Sequence, residues 1–181
     1  SHSQTMEKDE AIEVVMETGL AQSIFRAYDI RGVVDETLTE DGVLSIGRAI
    51  ASEALSAGQK TIVIARDGRL HSLKLSESLS KGIQAAGCNV IDVGQVPTPV
   101  LYFATHQLDT QSGVMITGSH NPANYNGLKI VIAGNTLSGE AIQQLYQRIQ
   151  QDNLETGEGA YQEQMMLPEY IGAITGDVRL G

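Results

Sequence analysis

From about residue 24 to residue 150 the apolar positions alternate between two rhythms. Short unbroken runs read as buried strands, and stripes recurring every three or four residues read as amphipathic helices. Thr39 is placed to cap a helix reaching about Ala57, with Val43, Ile46, Ile50 and Leu55 on one face and Gly58 stopping it. Residues 60–65 form a buried strand that runs into Arg66-Asp67-Gly68-Arg69, and residues 72–86 form a second helix ended by Gly87. Residues 88–93 are the next strand, closed by Gly94, and Pro97-Thr98-Pro99 opens a third helix to about His106. A strand follows over 113–117, then a polar loop, then an apolar run over 127–133. Gly134-Asn135 makes a turn, and Ser138 caps a helix over 139–150 with Ile142, Leu145 and Ile149 inward.

Strands separated by helices of this length predict a three-layer α/β/α sandwich with a mostly parallel sheet. The loop between the strands at 113–117 and 127–133 is too short for a crossover helix, so as neighbours these two are antiparallel and the sheet is mixed. Residues 1–22 read as a flexible acidic tail beginning with a tag-like Ser1-His2-Ser3; within it, 6–18 could form a short amphipathic helix or simply fray. The domain is expected over 23–155. Residues 156–181 are expected to be a linker and the start of a connection to a further domain, with an apolar segment beginning at Met165, so the chain reads as one cut at a domain boundary.

Composition narrows the function classes. The chain has 181 residues, 41% of them hydrophobic, which is ample for an independent core. Its formal charge of −10 belongs to the ends: residues 23–150 hold 11 acidic and 10 basic side chains. With no basic stripe, nucleic acid is not an expected partner. No apolar stretch approaches the roughly 20 residues of a membrane helix. The single cysteine, Cys88, excludes an internal disulfide, suits a reducing cytoplasm and, between apolar neighbours, is expected in or near the core.

The chemistry concentrates in Thr117-Gly118-Ser119-His120-Asn121-Pro122, directly after the run Gly113-Val114-Met115-Ile116. A strand that breaks at Gly-Ser displays a hydroxyl at a sheet edge, and in sheets of this kind ligands gather beyond the carboxyl ends of the strands. The Arg66–Arg69 segment lies at such an end too. A serine hydrolase is disfavoured because the G-x-S-x-G elbow is missing its second glycine. Phosphoryl transfer asks for an exposed oxygen and nearby cations, for which Arg31, Arg66, Arg69 and Lys129 are candidates. Asp67, between two arginines, could merely neutralise them, and no carboxylate triad is spaced to bind magnesium.

In order along the chain stand Phe25-Arg26-Ala27-Tyr28-Asp29-Ile30-Arg31-Gly32, Ala65-Arg66-Asp67-Gly68-Arg69, Val96-Pro97-Thr98-Pro99, Ile116-Thr117-Gly118-Ser119-His120-Asn121-Pro122 and Asn126-Gly127-Leu128-Lys129-Ile130. Together they resemble domain 1 of the α-D-phosphohexomutases, in particular the bacterial phosphomannomutase/phosphoglucomutase branch, over about residues 23–181. The phosphoglucosamine mutases are a neighbouring group, but Ala27 to Gly32 and Gly118 point to the mannose/glucose type; a non-catalytic sugar-phosphate-binding module is the rival outside the class. The resemblance implies that Ser119 carries the transferred phosphoryl group and passes it to a hexose 1- or 6-phosphate. The resulting hexose 1,6-bisphosphate, implied as intermediate and activator, would reorient before returning the other phosphate. It implies Mg²⁺ held by the Ser119 phosphate and by aspartates of a second domain. Tyr28 and Arg31 would line the cleft, Lys129 would transfer protons and balance charge, and His120 and Asn121 would shape the loop. The Arg66–Arg69 segment is left between substrate contact and a structural ion pair, and Tyr28 between the cleft and half-buried packing. Implied partners are phosphorylated hexoses and the remaining domains of the same polypeptide, in a cytoplasmic monomer; alone, the chain is expected to be inactive.

Overall fold

The computed structural model describes residues 20–96, 110–118 and 121–164. The helix expected from Pro97, the possible helix at 6–18, the apolar segment from Met165, and both Ser119 and His120 lie outside the described residues.

The first regular elements are β1 (Ile30–Val33) and α1 (Glu40–Ser56). Thr39 begins α1 as expected: it is extended, and its hydroxyl accepts from the Gly42 N–H at 3.0 Å. Glu40 and Asp41 in the first turn complement the helix dipole. Then come β2 (Thr61–Arg66), α2 (Ser72–Ala85), β3 (Asn89–Gln95), β4 (Gly113–Ile116), β5 (Tyr125–Ile132), β6 (Asn135–Thr136), α3 (Glu140–Gln150) and β7 (Tyr161–Glu163).

The strands form one mixed sheet in the order β1-β5-β4-β2-β3-β7, with β6 on β5. β5 is antiparallel to both β1 and β4, as the short β4–β5 loop demands, while β2 is parallel to β3 and β4. Val43, Ile46 and Ile50 of α1, Leu75, Leu79 and Ile83 of α2, and Ile142, Leu145 and Ile149 of α3 share one core with Ile62, Ile64, Val114, Ile116, Leu128 and Ile130 of the sheet. The alternate positions Val63, Ala65, Met115 and Val131 are buried as well, so both faces of the sheet centre are covered. This is the α/β/α architecture expected. Cys88 is fully buried and free, and burial pushes its thiol up to about 11. Among the described residues no helix is long and apolar enough to cross a membrane.

Four local expectations are corrected. Gly94 does not close β3: it sits inside the strand at φ 79°, where the β2–β3 register shifts, and the bulge carries pairing on to Gln95. The hairpin turn is Ala133-Gly134, both at positive φ, because Asn135 already pairs with Ile132. Gly139, not Ser138, is the N-cap of α3, without a side-chain cap, since the helix starts one residue later than its stripe suggests. The expected linker from residue 156 includes β7, which lengthens the sheet beside β3. Its side chains are exposed, so no hydrophobic pattern announces it. Hydrogen bonds hold it instead: Val90 N–H donates to Ala160 at 2.8 Å, Gln164 N–H to Asp92 at 2.9 Å, and the Tyr161 hydroxyl to the Asp92 side chain at 2.7 Å.

Candidate functional site

β4 ends at Ile116 in the middle of the sheet, with β2 on one side and β5 on the other. The chain that leaves it is held from both neighbours. On the β5 side the Thr117 N–H donates to the Gly127 carbonyl at 3.0 Å. On the β2 side the Asp67 N–H donates to the Ile116 carbonyl at 2.9 Å, and the Asp67 carboxylate accepts from the Gly118 N–H at 2.9 Å.

Asp67 is the hub of this edge. Its Oδ1 accepts from the Ser72 hydroxyl at 2.6 Å and from the Arg69 N–H at 3.1 Å. Ser72 in turn accepts from the Asn126 amide at 2.9 Å, and both Ser72 and Asn126 are fully buried. Asn126 also accepts from the Gly127 N–H at 2.9 Å. The first turn of α2, the end of β2 and the start of β5 are thereby joined by one chain of satisfied polar groups. Burial, the largest influence on the Asp67 carboxyl, would raise its pKa. Hydrogen bonds from the Ser72 side chain, the Gly118 and Arg69 backbones and the Thr117 side chain outweigh it, and the net shift is downward. Asp67 therefore does more than neutralise arginines.

The two arginines of the Arg66–Arg69 segment part company. Arg66 turns to Asp92 on β3, 3.7 Å away. Arg69 reaches across the loop, donating to the carbonyls of Pro122 at 2.6 Å, Asn121 at 2.7 Å and Tyr125 at 3.2 Å, with Nε 3.6 Å from Asp67. Its guanidinium lies where a Cβ on Gly118 would be. With the described residues, this segment makes ion pairs to Asp92 and Asp67 and hydrogen bonds to loop carbonyls.

Asn121 closes the loop from inside: its backbone N–H and its side-chain amide both donate to the Gly118 carbonyl, at 3.0 and 2.9 Å. Gly118 and Asn121, which flank Ser119-His120 in the chain, are therefore tied to each other directly. Arg31 stands opposite Gly127 in the β1–β5 register and reaches the Asn121 side-chain oxygen at 3.5 Å, while Asp29 accepts from it at 2.6 Å. Lys129 pairs with Met115 across β4–β5, on the sheet face turned away from Leu128 and Ile130. Tyr28 precedes β1 and is 76% exposed, which corrects the half-buried packing alternative.

Of the residues expected at the site, the structure joins Arg31 to Asn121 and sets Tyr28 and Lys129 on β1's approach and on β5; Ser119 and His120 are not described. Sequence reasoning gave no role to Ser72, Thr117 or Asn126. The available signal was polar residues beginning a helix and two strand ends that are otherwise apolar, which marks buried polar partners but does not say which meets which. Among the described residues, no group of three or more His, Cys, Asp or Glu side chains could hold a metal ion.

A mixed α/β sheet whose central strand ends in a segment held by both neighbours defines an α/β/α domain, and in such sheets ligands gather at the carboxyl ends of the strands. Residues 22–156 match the family model of the phosphoglucomutase/phosphomannomutase α/β/α domain I, and the chain belongs to this family. It is 51% identical over 161 residues to the phosphomannomutase/phosphoglucomutase of Pseudomonas aeruginosa, and 52% over 161 residues to that of Pseudomonas putida; each alignment covers 89% of this chain and 35% of the relative. A crystal structure of a phosphoglucomutase/phosphomannomutase family protein from Burkholderia thailandensis superposes with a TM-score of 0.82 at 44% identity, covering 89% of this chain and 37% of that one. The chain thus spans about a third of the length of these relatives.

Proposed function

We propose that this chain is the serine-bearing domain of a phosphomannomutase/phosphoglucomutase that interconverts hexose 1-phosphate and hexose 6-phosphate, with Ser119 as the phosphoryl carrier. The observation that carries the reading is the clamp around that serine. Gly118 is held by Asp67, and Asn121 is held by Gly118, Arg31 and Arg69. Such investment in fixing two flanking residues suits a reaction in which positioning supplies most of the catalysis.

In the proposed first half-reaction a sugar hydroxyl oxygen attacks the phosphorus of phosphorylated Ser119. The bond from phosphorus to the serine oxygen breaks, a new bond from phosphorus to the sugar oxygen forms, and the hydroxyl proton passes to a base, the role proposed for Lys129. The bisphosphorylated hexose turns over, and its other phosphoryl group returns to the serine oxygen by the reverse exchange. Phosphorylation adds about −1.5 to −2 charge; Arg31 is proposed to offset it, and Lys129 to add its positive charge once it has taken the proton. Tyr28 offers an exposed ring to the sugar, and His120 and Asn121 shape the loop. Magnesium, which would further neutralise the phosphate, belongs to the same reading with ligands outside the described residues; no step above is routed through it. Since the chain spans about a third of its relatives, it is proposed to have no turnover alone.

The test is Ser119→Ala in the full-length protein, followed by intact mass and a coupled mutase assay. Loss of a stoichiometric phosphate together with most activity is expected; an unchanged rate would overturn the assignment.

A further inference from the structure

We propose that Arg69 is a positioning residue for phosphoryl transfer at Ser119: it holds the backbone of the serine loop and does not grip the sugar phosphate. This rests on the reading of Ser119 as the phosphoryl carrier. An arginine at a phosphate site is ordinarily assigned to the phosphate, but among the described residues this one meets backbone carbonyls and a carboxylate. Nη1 serves the Pro122 and Tyr125 carbonyls, Nη2 serves the Asn121 carbonyl, and Nε faces Asp67. These three carbonyls all follow the serine in the chain, whereas Asp67 holds Gly118, which precedes it.

The Asp67–Arg69 pair therefore grips both limbs of the loop from one rigid place, the junction of β2 and α2. That junction is anchored in turn through Ser72 and the buried Asn126. Only a planar, forked cation can reach three carbonyls and a carboxylate at once; a lysine ammonium is a single point of charge. The missing Cβ of Gly118 leaves the room in which the guanidinium lies. Arg66, which pairs with Asp92 on the next strand, makes no such contact with the described residues of the loop.

Arg69→Lys and Arg69→Met in the full-length protein test this, with kcat, KM and amide exchange at Gly118 and Asn121 as readouts. A displaced loop predicts a fall in kcat of about 100-fold. KM should stay within about threefold, and lysine should not restore the rate. The Gly118 and Asn121 amides should exchange faster while those of buried Val63 and Val114 stay protected. A raised KM with kcat retained, or rescue by lysine, would overturn the proposal, since either marks a charge acting on substrate. Should Arg69→Met fail to fold, Arg69→Lys and Asp67→Asn decide by the same readouts. Ser119→Ala separates the two levels. If it is inactive while the Arg69 variants keep their kcat, only the positioning role fails; if it is active, the reading beneath it fails.

Discussion

The carboxylate of Asp67 accepts the backbone N–H of Gly118 across 2.9 Å, linking the end of β2 to the residue before Ser119. The same carboxylate takes the Ser72 hydroxyl and the Arg69 N–H, so its charge is shared among donors from two elements and the loop itself. Asp67→Asn substitutes an amide whose NH₂ must face one of these donors. A cost of about 1–3 kcal/mol is expected, read as a lower urea midpoint with an unchanged m-value.

The pH dependence of that cost has a definite sign. The folded Asp67 carboxyl titrates below its ordinary value of 3.8. A depressed carboxylate contributes stability that is fully present above the unfolded pKa and is lost as pH falls through the folded one. The difference in stability between the natural chain and Asp67→Asn should therefore be flat near neutrality and shrink only below about pH 4. Urea titrations of both proteins across acid pH check this; a difference that shrinks between pH 6 and 8 would contradict it.

Gly118→Ala places a methyl group on the guanidinium of Arg69, the far end of a flexible side chain, so the side chain moves and the backbone stays. The loss is that of the Arg69 bonds to the loop carbonyls. We expect a stability cost of about 1–2 kcal/mol by denaturant unfolding and an intact far-ultraviolet spectrum.

Gly82→Ala is a different case, because a Cβ there meets the Leu44 carbonyl and lies 3.1 Å from the Arg48 nitrogen, both backbone atoms of α1. Gly47 approaches the Leu79 carbonyl in the same way, so α1 and α2 touch through paired glycines. Neither helix can yield by a rotamer change. Gly82→Ala should destabilise the domain by about 1–3 kcal/mol although alanine is the better helix former, and calorimetry would show the lowered Tm.

Tyr28→Ala removes a side chain that is 76% exposed. Thermal unfolding should move by no more than about 0.5 kcal/mol. A clear loss of mutase activity in the full-length protein, with stability preserved, is the expected signature of a residue that faces the cleft.

Several features were legible from residue order alone because their causes are local. Thr39 and the acids after it start α1; the stripe of Val43, Ile46 and Ile50 selects its buried face; the short connection before β5 forces antiparallel pairing with β4. The serine-loop and Asn126-to-Ile130 strings also sufficed to indicate the family whose model residues 22–156 match. Tertiary structure decided the rest. β7 joins the sheet through backbone pairing with β3 and the Tyr161 hydroxyl on Asp92, not through a buried apolar face, and the bulge at Gly94 arises from pairing with β2. The division of labour between Arg66 and Arg69 depends on what the fold brings within reach: a carboxylate on the next strand for Arg66, and carbonyls more than fifty residues along the chain for Arg69. Local propensity acts over a turn or two of chain, while hydrogen-bond partners across a sheet are chosen only when the strands have found their order.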